Sequence, residues 1–161
     1  MTALLLSLHV LAAILTVGPV AITASMFPRA ARQALAAPDE TNTAAVRLLH
    51  RVTRVYAVVG VAVPVLGYAT GASLGVLSDA WLITSMVFTA AAAAVLIVLV
   101  LPGQRRVVEA LDAPGPAGAA DPAERGAARR LAMHAGIFNL LWAVVVVLMI
   151  YRPGSTTGAG L

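Results

Sequence analysis

The residues best suited to chemistry in this chain of 161 are its three histidines, for it holds no Cys, and all eleven of its basic residues are Arg. Without Cys there are no disulfides, thiolate metal ligands or cysteine nucleophiles, and without Lys there is no Schiff-base or P-loop lysine chemistry. His9 stands within a long uncharged apolar stretch, where an ionisable residue is a functional candidate by default. Counting a rise of about 1.5 Å per helical residue brings Tyr68, Thr84 and Ser85 near its depth. His9, Tyr68 and Ser85, with Thr84 beside them, form one candidate ligand- or cofactor-binding cluster, and His134 is a further candidate entering from the opposite side. The alternative for His9 is a neutral imidazole bonded to Ser, Thr or Tyr of a neighbouring helix.

Haem is the cofactor this inventory raises, and depth decides how it would be held. His9 and His134 differ by roughly 15 Å along the membrane normal, from the helical rise and a core about 30 Å thick. They cannot serve one iron. His50 with His134 is closer in depth, but His50 sits at the wet edge, so a buried bis-histidine haem is disfavoured. Three scattered histidines make a still weaker metal centre. Arg47, His50, Arg51 and Arg54 follow i, i+3, i+4, i+7 and form one basic stripe. It reads either as a snorkelling set facing lipid headgroups or as an anion site facing the interior.

The elements that position these residues are read from composition. Sixty per cent of the chain is apolar, 11 % is charged and the mean hydropathy is +0.91, far from the roughly one-quarter charged residues of soluble domains. Four stretches, Thr2–Pro28, Val55–Ser78, Ala80–Gln104 and Leu131–Tyr151, lack formal charge over a bilayer's width of about 20 residues. They predict an all-α, four-transmembrane-helix bundle as a single domain over 1–152, with spans at about 3–27, 55–77, 81–102 and 131–151 and a flexible tail over 153–161. The first stretch has no basic n-region and no A-x-A site, so it reads as a retained span and not a signal peptide.

Arginine fixes the expected orientation. Five lie between spans one and two (Arg29, Arg32, Arg47, Arg51, Arg54) and five between spans three and four (Arg105, Arg106, Arg125, Arg129, Arg130), against Arg152 alone on the other side. By the positive-inside rule connections 28–54 and 103–130 are cytoplasmic, both termini are non-cytoplasmic, and the bundle sits in the cell's inner (plasma) membrane. With the arginines beside apolar spans, the expected partners are membrane lipids and not nucleic acid.

Two stripes suggest how the spans pack. Span one carries His9, Ala12, Thr16, Pro19 and Thr23 at spacings of three and four, one helical face that belongs inside the bundle because an unpaired polar group in hydrocarbon costs several kcal/mol. Span two carries Gly60, Pro64, Gly67, Gly71 and Gly75, a doubled G-x-x-x-G that serves close packing within the bundle, or homodimerisation or assembly into a larger membrane complex through Gly67, Gly71 and Gly75. Trp81 and Tyr151 suit interfacial anchors, and Ala113–Pro122 reads as a flexible linker. Helix two is expected to begin near Thr43, with Asp39, Thr41 or Thr43 as its N-cap.

At Leu8-His9-Val10-Leu11-Ala12-Ala13-Ile14-Leu15-Thr16-Val17-Gly18 the chain resembles an uncharacterised family of small bacterial predicted integral membrane proteins. That family lies near the copper-resistance D and J-type protoporphyrinogen oxidase membrane proteins. The resemblance implies a bundle in which His9 corresponds to the family's first-span histidine. The Trp that often precedes Val-Gly is Thr16 here, and the second Gly is Pro19. The reading is of a non-enzymatic accessory or small-ligand-binding bundle. Its alternatives are a haem-handling or redox membrane protein using His9 and a copper or other solute transport component.

Overall fold

The computed structural model describes residues 2–37, 39–113 and 122–155; residues 114–121 of the predicted linker and 156–161 of the predicted tail lie outside them. Four helical rods run up and down, each long and apolar enough to cross a membrane: Thr2–Ala36, Glu40–Leu74, Ala80–Asp112 and Gly126–Tyr151. No strand occurs among the described residues. The first rod is one helix, α1 (Thr2–Ala36). The second is α2 (Glu40–Val59) followed by α3 (Ala62–Leu74), and the third is α4 (Ala80–Ala94), a π-helical turn over Val95–Val100 and α5 (Leu101–Asp112). The fourth is α6 (Pro122–Tyr151).

Local chemistry explains each interruption. Pro64 has no N–H to give the Gly60 carbonyl, so that carbonyl takes the Val63 N–H instead (3.0 Å), and the rod tightens for one turn between α2 and α3. Helix α2 begins at Glu40, three residues before the expected start, because the Asp39 carboxylate caps it by accepting the Asn42 N–H (2.6 Å). At the far end of α3, Gly75 takes φ 73°, a left-handed C-cap that favours glycine. The π turn has a spacing signature. Ala92, Leu96, Val100 and Gln104 are all buried at steps of four. An α-helix would drift about 40° per step; the wider turn, in which the Leu101 N–H reaches back to the Leu96 carbonyl, cancels the drift and keeps Gln104 inside.

Helix α1 packs along α2, α3 and α6, while α6 packs on α4 and the π turn, and α5 on α2. The rods therefore form a ring in the order one, two, three, four. Three of its seams are extensively packed. The seam between rods two and three is not, for α3 and α4 meet only sparsely.

Rods of 33 to 35 residues measure about 50 Å at 1.5 Å per residue, some 20 Å more than the hydrocarbon core. The excess lies at the Arg-rich end. There Phe27, Ala31, Ala34, Val46, Val107 and Leu131 form a separate buried cluster ringed by exposed Arg32, Arg51, Arg105 and Glu109. It is a short water-type four-helix cap continuous with the spans. A second cluster, Val20, Ala24, Ala92, Leu96, Val100, Ala135 and Phe138, fills the bundle's middle.

Candidate functional site

The outer-half cluster expected from depth is not assembled. The His9 Nδ1–H donates to the Val63 carbonyl (3.0 Å), and the ring lies over Gly67, where an added Cβ would stand 2.9 Å from His9 Cε1. Span one is thus locked to span two through backbone, and the partner is neither Ser, Thr nor Tyr. Tyr68 is 56 % exposed and lines an outward groove with Leu77, Ile83 and Met86. Since Gly67 faces His9, the next residue turns about 100° away. Thr84 and Ser85 each donate to a carbonyl of their own helix, Ala80 and Trp81 respectively. His134 is half-buried on α6, with no bond to His9, Tyr68, Thr84 or Ser85 among the described residues.

The glycines of span two are spent largely within the protomer. Gly67 seats His9; an added Cβ on Gly71 would stand 2.8 Å from Leu82 Cδ2 and 3.2 Å from Leu77 Cδ2; Gly75 is the helix cap. Trp81, expected at the lipid interface, is instead 5 % exposed. Its indole N–H donates to Asp79 Oδ2 (3.0 Å), and the Arg152 guanidinium lies 5.4 Å above its ring, pinning the end of rod four to the start of rod three. Tyr151 is exposed at the same end.

The basic stripe is also divided. Arg47 forms an ion pair with Asp112 of α5, and the His50 Nδ1–H donates to the Gln104 amide Oε1 (3.1 Å). Both tie α2 to α5. Arg51 and Arg54 remain exposed and join no ion pair among the described residues. Gln104 is wholly buried, and its Nε2 has no hydrogen-bond partner among the described residues. The sequence hid this residue, because the π turn decides which way it faces; the run of buried positions at steps of four was the available signal. One turn nearer the middle, the buried hydroxyls of Thr23 and Thr53 share a hydrogen bond (2.8 Å).

What the four rods do enclose lies at the open seam. Between the His50–Gln104 contact at one end and the Gly71–Leu82 contact at the other, a crevice of about 110 Å³ is lined by Thr16, Tyr56, Gly60, Thr89, Phe138 and Trp142, among others. Rods two and three form its sides, rods one and four its floor. At its rim Val61 and Ile97 are 60 % and 59 % exposed, so it opens sideways toward lipid. Its walls are overwhelmingly apolar, and the Thr16 hydroxyl is committed to the Ala12 carbonyl (2.7 Å). Phe138 and Trp142 pack edge to face, 6.4 Å between centroids. The sequence pointed to the floor through the Thr16 stripe but not to the gap, which depends on which neighbouring rods fail to touch.

No group of three or more His, Cys, Asp or Glu residues able to hold a metal lies among the described residues. Nor does the structure place His50 opposite His9: His50 is bonded to Gln104 at the Arg-rich end, and His9 to α3.

No curated protein and no solved structure matches the chain. Residues 3–153 match the model of DUF2269, described as a predicted integral membrane protein, and the chain belongs to that family.

Proposed function

We propose that this member of the DUF2269 integral membrane protein family is a non-enzymatic four-span bundle that holds a lipophilic ligand, a hydrocarbon chain, in the crevice between its second and third spans. The observation carrying this reading is the open seam. A bundle that closes three seams by packing leaves the fourth apart at mid-depth, over a floor that includes Phe138 and Trp142. An apolar void forfeits dispersion contacts on every wall, and in a bilayer the molecules able to fill it from the side are lipophilic. The polar groups nearby suit binding better than catalysis, with the Thr16 hydroxyl turned to its own helix and no acid–base pair beside it among the described residues. The Arg-rich end faces the cytoplasm of a plasma-membrane protein, by the ten-to-one arginine bias read from the sequence.

Trp142 reports on the crevice directly. The chain has two Trp, so Trp81→Phe leaves it as the sole fluorophore. In nanodiscs of chain-brominated phosphatidylcholine its emission is expected to be strongly quenched, and Ala57→Leu, which fills the crevice wall, should remove most of that quenching. Quenching unchanged by Ala57→Leu, or absent from the start, would contradict a chain-filled crevice.

A further inference from the structure

The foot of the crevice is flanked by charge on both sides of the seam. On rod two, Ala57 and Val61 line the crevice, and Arg54 lies three and seven residues before them, on the same helical stripe. On rod three, Ile97 lines it, with Leu101 and Arg105 following at steps of four through the π turn. The two helices are drawn together just beyond this point by the His50–Gln104 bond; Arg54 is four residues from His50, and Arg105 follows Gln104. Arg54 and Arg105 therefore stand on the two helical stripes that flank the seam where the crevice ends. Arg54 is about 4.5 Å along the helix from Ala57, the interval between the start of an acyl chain and the phosphate that bears it.

The protein offsets these charges only in part. Arg47, further from the hydrocarbon, is paired with Asp112. Arg54 is exposed and joins no ion pair among the described residues, and Arg105 meets Glu109 (Nε to Oε1, 3.1 Å) in a pair exposed on both sides, where solvent screening keeps the attraction weak. Guanidinium favours phosphate through paired N–H donors, and an anionic phospholipid brings that phosphate without the compensating cation of a zwitterionic headgroup.

Resting on the crevice reading, we propose that the occupant is one anionic phospholipid of the Arg-rich leaflet, with an acyl chain in the crevice and its phosphate between Arg54 and Arg105. The test uses the full chain carrying Trp81→Phe in phosphatidylcholine nanodiscs doped at equal mole fraction with chain-brominated phosphatidylglycerol or chain-brominated phosphatidylcholine. Brominated phosphatidylglycerol is expected to quench Trp142 several-fold more strongly. Arg54→Gln with Arg105→Gln should bring it down to the phosphatidylcholine level, and Arg54→Lys should keep part of the preference. Equal quenching by both lipids, still abolished by Ala57→Leu, overturns the headgroup site and leaves the crevice reading standing. Quenching by neither overturns both.

Discussion

The two ends of each rod obey opposite rules. In the membrane-crossing part the side chains turned outward are apolar, Ile14, Val58, Val87 and Leu140 being 65 %, 70 %, 63 % and 66 % exposed, while the interior holds Thr16, Gly71, Ser85 and Ala92. In the Arg-rich cap the outward side changes: Phe27, Val46 and Val107 are inside, as Val20, Leu96 and Phe138 are in the middle, but Arg32, Arg51 and Glu109 are outside. One helix changes rule along its length because its solvent changes. The cap is held by burying apolar surface from water. The crossing part has no such force between helices and relies on close approach at small residues and on hydrogen bonds across the seams, such as His9 to Val63 and Thr23 to Thr53.

The largest effect should come from emptying the cap. Phe27→Ala is expected to cost about 3–5 kcal/mol, whereas Val58→Ala, equally apolar but facing lipid, should change stability by less than about 0.5 kcal/mol. Denaturant titration in bicelles measures both, and equal losses would erase the distinction between the two regions. Next comes Gly67→Ala, whose methyl group displaces the His9 ring. It should cost about 1–3 kcal/mol and combine less than additively with His9→Ala. Thr53→Val should cost about 1 kcal/mol through loss of the buried hydroxyl pair. Smallest is Glu109→Gln in the exposed pair with Arg105, expected within about 0.5 kcal/mol of zero; a larger loss would mean that the pair is organised by something beyond solvent-screened attraction.

Much of the crossing part was legible in the sequence. The four spans and the inward Thr16–Thr23 stripe are one-dimensional patterns, and the structure keeps both. The cap was legible in part: Val46, Leu49 and Thr53, and Val107 with Leu111, recur at helical spacing among charged residues, a water-type pattern masked by ending each span at its first arginine. The structure does not bring the candidate cluster together, for a geometric reason. Residue counting gives depth but not direction around the helix, and Tyr68 shares a depth with His9 while turning outward. The partner of His9 is a backbone carbonyl, which no side-chain pattern encodes. The inward turn of Gln104 depends on the π turn, and the crevice depends on a contact that two neighbouring rods do not make.

Val98 and Ala110 stand on the same rod, one before Arg105 and one after it, and both are exposed on the protein surface; only the bilayer distinguishes them. The chain has no native Cys, so Val98→Cys and Ala110→Cys can each be labelled alone in nanodiscs with a charged, water-soluble maleimide. The inversion of solvent along the rod predicts rapid labelling at 110 and almost none at 98 until detergent replaces the lipid. Comparable rates at the two positions in intact bilayers would contradict it.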